Sequence, residues 1–283
     1  MKKLLCLLAV FMLTLFASCS SESSKVKIID VKLTNENYAY VVKKGNIELV
    51  TDFNAFLTDI KSNGKFDEIV AKYFEGNGTK VGVDFVTSLE TTNDEKTFVV
   101  ATNCPFEPFE YVGTDGKMYG IDIEIAKLYA DTKNLTLVVK NIDFDAIFTN
   151  VDSGYADIGM AGITISEERL ALYDFTDTYY AASQKLVVLE SNTLFDECKT
   201  VEDVEGVLKS LENEKVGYQI GTTGNWYVAG DEGWGYEGFA NLEAKGYKTA
   251  QLAIQDIVNG QIYGVVVDEA PAEAMVNAIN SVN

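Results

Sequence analysis

Apolar positions along the chain switch between two periods. Residues 26–33 and 38–42 alternate as strands do, the first stretch imperfectly. Leu49, Phe53, Phe56, Leu57 and Ile60 then recur at helical spacing. Asn63-Gly64 breaks that helix, and residues 66–74 resume it. A polar stretch opens at Gly76-Asn77-Gly78-Thr79 and runs to Lys96, which predicts a connector. From Thr97 the chain starts afresh. Residues 97–102 read as a buried strand, and Ile121, Ile125 and Leu128 mark a helix. Predicted strands at 135–139, 156–161, 184–189, 216–220 and 263–267 interleave with predicted helices at 144–151, 167–172, 201–211, 252–258 and 270–279. Such alternation predicts an α/β fold with largely parallel sheets.

Composition narrows the function. The 283 residues carry 43 acids against 23 bases, a formal charge of −20, and no histidine. The missing imidazole excludes Ser-His-Asp and Cys-His nucleophile pairs and HExxH zinc sites. The acidity argues against nucleic acid, whose binding needs a cationic surface to displace counterions. With 47% hydrophobic and 11% aromatic residues the chain can bury a large core. No cofactor and no metal cluster is read from it.

The N-terminus reads as an address. Lys2 and Lys3 precede an apolar run over 4–17. At about 14 residues it is short of the roughly 20 needed to span a bilayer and fits a secretory signal peptide. It ends Phe16-Ala17-Ser18-Cys19, then Ser20-Ser21-Glu22-Ser23-Ser24. This resembles a bacterial lipobox, in which the cysteine is lipidated and becomes the new N-terminus; Phe16 stands where leucine is usual. Cys19 is therefore expected to hold the protein at the outer side of the cell membrane by its acyl chains, the alternative being an ordinary signal peptide with an incidental cysteine. Cys104 and Cys198 are expected as free thiols, because a bond between them would lock two lobes together.

Two charged residues stand out. Arg169 is the only arginine; the other 22 basic residues are lysines. A planar guanidinium grips a carboxylate through two parallel hydrogen bonds, which an ammonium cannot reproduce. Asp268 lies at the end of the apolar strand predicted at 263–267. Open α/β sheets place ligands at that end of their strands, although an aspartate there also caps helices.

Four segments, in order, resemble the bacterial extracellular solute-binding proteins of family 3, the polar amino-acid binders with the type II periplasmic-binding fold. The first is Pro105-Phe106-Glu107-Pro108-Phe109-Glu110-Tyr111 followed by Gly120-Ile121-Asp122-Ile123-Glu124. The second is the most specific: Asp157-Ile158-Gly159-Met160-Ala161-Gly162-Ile163-Thr164-Ile165-Ser166-Glu167-Glu168-Arg169. The third is Val216-Gly217-Tyr218-Gln219-Ile220-Gly221-Thr222-Thr223-Gly224, and the fourth is Gly260-Gln261-Ile262-Tyr263-Gly264-Val265-Val266-Val267-Asp268.

The resemblance implies a site. Arg169 would grip the ligand α-carboxylate, with the Thr164 hydroxyl and the Gly162 N–H as further donors and Ala161 beside them. Thr222 and Thr223 would add donors from the second lobe, unless they only form a turn. Asp268 would take the α-ammonium. Phe106 would cover the ligand and Phe144 would form an apolar wall, though either could be plain core. Asn103 occupies a position that often meets the ligand side chain. Binders of basic amino acids often carry an acid there, so Asn103 weighs against lysine or arginine.

Relatives end in a returning strand and two helices, and here that ending precedes the rest: Tyr38-Ala39-Tyr40-Val41-Val42-Lys43-Lys44-Gly45-Asn46 and the two helices after it. The fold class expected is therefore α/β, two-lobed, periplasmic-binding-protein-like (type II) and circularly permuted, unless the segment is a truncated first copy or is exchanged between chains. The expected division is a signal peptide over 1–18, a tether over 19–25, and a first lobe from 48–75 with 97–183. A connector over 76–96 joins the ancestral termini, and 26–47 with 184–283 form the second lobe.

The function implied is an extracytoplasmic lipoprotein, monomeric and not an enzyme, that binds a free amino acid and delivers it to an ABC transporter permease. An amino-acid sensor coupled to a membrane receptor is the alternative. A dehydratase-like enzyme on the same fold, with Glu110 or Asp268 as acid, is the remote one.

Overall fold

The computed structural model describes residues 25–87 and 96–281. The signal peptide, Cys19 and the 88–95 part of the connector lie outside the described residues. The chain forms two α/β lobes, each around its own sheet. In the first lobe, Thr97–Thr102 pairs in parallel with Thr136–Asn141 over its whole length. Ile158–Gly159 joins it in parallel on its other side. The five-stranded sheet of the second lobe centres on Gly264–Asp268, parallel to Lys215–Gln219 and antiparallel to Gln184–Leu189. Glu36–Tyr38 pairs antiparallel with Tyr180–Ala182, and this ribbon carries the chain between the lobes.

The segment before residue 75 is part of both cores. Val26–Ile28 lies against Gln184–Leu189 at the edge of the second sheet. The ladder stops there, but the alternation continues: Ile29, Val31 and Leu33 are buried in the second core. Two further backbone bonds, from the Ile29 and Leu33 N–H groups to Leu186 and Gln184, keep the chain alongside.

One expectation is corrected here. Val41–Lys43 belongs to the first sheet, between Ile158–Gly159 and Tyr173–Phe175, so residues up to 47 do not all fall in the second lobe. The predicted 38–42 strand is two strands that meet at Ala39 and Tyr40. Both residues are fully buried, which is why the pattern showed no break. The connector is likewise partly built in, since Phe85–Val86 extends the first sheet beside Thr136–Asn141.

Helices Ile47–Ser62 and Lys65–Phe74 cover the first lobe. The Asn46 side chain accepts the Leu49 N–H and starts the first; Gly64, at φ +79°, makes the left-handed turn into the second. Phe53, fully buried, packs its ring 4.5 Å from that of Tyr129. Each such side chain contributes about 1.5–3 kcal/mol by leaving water, so the early helices are integral to the lobe. The last helix, Glu269–Ser281, returns to the start of the described chain. The Asn280 side chain accepts the Val26 N–H at 3.1 Å and donates to its carbonyl at 2.8 Å. Cys104 and Cys198 are unbonded, one in each lobe.

Candidate functional site

Both lobes turn the carboxyl ends of parallel strands toward one cleft. Asn103 follows Thr97–Thr102, and Ala161 and Gly162 follow Ile158–Gly159. Gln219 ends Lys215–Gln219, and Asp268 ends Gly264–Asp268. Every residue expected to meet a ligand lines this cleft, and Glu110 and Gln219 complete its wall.

Arg169 sits in the short helix Glu167–Leu172, whose first turn is capped by the Ser166 hydroxyl. The residue is buried, 6% exposed, and its guanidinium is held in the cleft wall. It lies 4.7 Å from the Phe148 ring centre and 4.9 Å from that of Trp226, an aromatic slot that suits its flat cation. It donates to the Thr164 carbonyl at 2.7 Å and, across the cleft, to the Gly221 carbonyl at 3.0 Å. Among the described residues no carboxylate pairs with it directly. Burial pulls it down to about 9, opposed by the fields of Glu36 and Asp268.

The hydroxyls expected around a ligand carboxylate face one another from the two lobes. Thr164 and Thr223 both donate to the same oxygen, Glu36 Oε2, at 2.5 and 2.9 Å. Glu36, on the ribbon between the lobes, carried no signal in the sequence. Thr222 lines the cleft, but its hydroxyl closes the local turn onto the Gln219 carbonyl at 2.8 Å. The Gly162 N–H is also engaged, donating to Asp122 at 3.1 Å. Gly162 matters by its size. A Cβ there would stand 2.5 Å from Phe106, and its φ is +54°.

Asp268 accepts the Tyr38 hydroxyl, a contact from the second lobe to the ribbon. Burial, followed by the charge of Glu36, pushes the Asp268 carboxyl up to about 7. Asn103 spans the cleft as well: its Oδ1 accepts from Gln219 Nε2 at 2.6 Å while its Nδ2 donates to the Ile142 carbonyl. Phe106 and Phe144 are almost fully buried walls, and Phe144 stands 5.7 Å from the Arg169 guanidinium.

Glu110 is the residue whose weight the sequence understated. It is fully buried and lines the cleft, and neither carboxyl oxygen has a hydrogen-bond partner among the described residues. Burial, then the charge of Asp122, pushes it well above the usual carboxylate range. Asp122 itself is raised to about 7 by burial, although Tyr179, the Gly162 N–H and Tyr40 all donate to it. No group of three or more metal-ligating side chains occurs among the described residues.

Residues 98–280 match the family described as bacterial extracellular solute-binding proteins, family 3. A probable histidine-binding protein of Neisseria gonorrhoeae is 29% identical over 178 residues, 63% of this chain and 61% of that one. The chain thus spans about three fifths of that relative's length. The arginine-bound form of truncated ArgBP from T. maritima is 28% identical with a TM-score of 0.55, covering 65% of this chain and 78% of that one. An ancestral arginine-binding protein bound to arginine is 34% identical with a TM-score of 0.54, over 65% and 75% of the two chains. These relatives are named as binding proteins, in keeping with the expectation that the chain is not an enzyme.

Proposed function

The chain belongs to the bacterial extracellular solute-binding proteins of family 3, and on that footing we propose that it binds a free amino acid with a cationic side chain, arginine first, between its lobes. The observation that carries the reading is the convergence of the buried Arg169 guanidinium, the Thr164 and Thr223 hydroxyls and the Asp268 carboxyl on one cleft. The first three suit an α-carboxylate, and Asp268 suits an α-ammonium. Glu110 supports the cationic side chain: a buried carboxyl without a partner is costly until something donates to it or neutralises it. Asn103 is then no obstacle, because the acid comes from Glu110. Two similar solved structures are named as arginine-bound, and an ancestral arginine-binding protein is also named as bound to glutamine.

The remaining roles follow the family. Cys19 carries the lipid, the protein works at the outer face of the cell membrane as a monomer, and it hands the amino acid to an ABC transporter permease. Residues 26–75 complete, within one chain, the fold that begins at 97. The Val26–Asn280 pair supports this permutation, because it brings the two described ends into contact.

The test is thermal unfolding of protein stripped of ligand through denaturant, against all twenty amino acids. Ligand at 100 times its dissociation constant adds about 2.7 kcal/mol, and each kcal/mol shifts the melting temperature of a chain this size by about 2 °C. Arginine is expected to give the largest rise. No rise with any amino acid, from a cooperatively folding sample, refutes the reading.

A further inference from the structure

The carboxylate donors of the cleft are held by a carboxylate of the chain itself. Glu36 is 5% exposed and lies on the ribbon strand Glu36–Tyr38. Its Oε2 accepts from Thr164 of the first lobe and Thr223 of the second, and its Oε1 from the neighbouring Thr34. Its charge also reaches the Arg169 guanidinium. A threonine hydroxyl has one proton to donate. An amino-acid carboxylate and Glu36 therefore cannot both take these two hydroxyls.

We propose that Glu36 is a built-in competitor and latch: it joins Thr164 to Thr223 across the lobes, and an entering amino acid must displace it. The proposal rests on the reading that Thr164, Thr223 and Arg169 receive the α-carboxylate. The displaced side chain has somewhere to go. Glu36 also lines a second, outer groove, together with Asn35, Asn37, Ser166 and Trp234. A short rotation about its own side chain moves the carboxylate toward water without moving the ribbon. A tethered group acts at a high effective concentration, so Glu36 sets the ligand concentration needed for occupancy. It also selects for ligands with a carboxylate able to replace its own.

The test compares the protein with Glu36→Gln and Glu36→Ala. The glutamine variant keeps the side-chain shape in case alanine fails to fold. Calorimetric titration with arginine should give tighter binding in the variants, by about tenfold for alanine and by less for glutamine. Unchanged or weaker binding overturns the proposal and makes Glu36 inert or a ligand contact. Small-angle scattering on stripped protein provides a readout that needs no amino acid. The variants should have a larger radius of gyration than the parent, and an equal one overturns the latch. If arginine and every other amino acid fail to bind parent and variants alike, the function reading falls, while scattering still decides the fate of Glu36.

Discussion

Tyr38 donates its hydroxyl to Asp268, so the ribbon between the lobes holds the acid expected to receive the ligand ammonium. Burial raises that acid to about 7. An incoming ammonium favours its ionised form, so binding should release a proton near pH 6.5 and strengthen as pH rises through 7. Calorimetry in two buffers of different ionisation enthalpy measures the proton directly. Asp268→Asn should bind weakly and without the proton release, whereas Tyr38→Phe should bind but move the transition to higher pH.

Arg169→Lys should cost about 100-fold or more in arginine affinity, the order expected when one partner of a buried charge pair is truncated. An ammonium is charged too, but it cannot fill the flat slot between Phe148 and Trp226 or bond the Thr164 and Gly221 carbonyls together. Equal affinity in the lysine variant, measured by titration, would remove Arg169 from the site.

Glu110→Gln should change the preference rather than abolish binding. Arginine is expected to lose roughly tenfold or more, the worth of a charge-assisted bond, while glutamine and other neutral amino acids hold or gain. A competition titration gives both numbers in one sample. An unaltered ranking would mean that Glu110 does not face the ligand.

The buried acids also set a sign for stability. Asp122 and Asp268 are raised to about 7, and Glu110 is pushed up as well. A carboxyl with a higher pKa in the folded chain than in the unfolded one binds more protons when folded. Stability should therefore fall as pH rises from about 4 to about 7. The melting temperature is expected to be higher at pH 5.5 than at pH 8, with a shallower slope in Asp122→Asn.

The permutation has its own test. A gene that joins residue 281 to residue 25 by a short linker and opens between 88 and 95 should fold and melt cooperatively, because the Val26–Asn280 pair already brings those ends together. Failure to fold would mean that the order of segments, and not only their contacts, is needed.

The architecture was legible where a segment is buried on one face or on both. The strand read at 184–189 is Gln184–Leu189, and the helix read at 167–172 is Glu167–Leu172. Edges were harder. Glu243–Tyr247 pairs with Lys215–Gln219 at the rim of the second sheet, but its exposed Glu-Ala-Lys-Gly-Tyr carries no alternation to find. The lobe boundary expected after residue 47 was placed several residues late, since the fully buried Tyr38 to Val42 stretch hides the point where the chain leaves one lobe for the other. Within the site, Arg169 and Asp268 were readable from their own chemistry, and Thr164 and Thr223 through the family resemblance; all four share one cleft. Glu36 and Gln219 were not, because their parts depend on which groups the folded lobes bring opposite them. Gly162 and Thr222 show the converse. Both are in place, yet one donor is turned to Asp122 and the other to its own turn.

A crystal structure of the protein with bound arginine is the most direct test of the central claim. The α-carboxylate should lie between Arg169, Thr164 and Thr223 with Glu36 turned away, the ammonium on Asp268 and the guanidinium against Glu110. Arginine bound in the opposite sense, or outside the cleft with Glu36 still held by both threonines, would contradict the account.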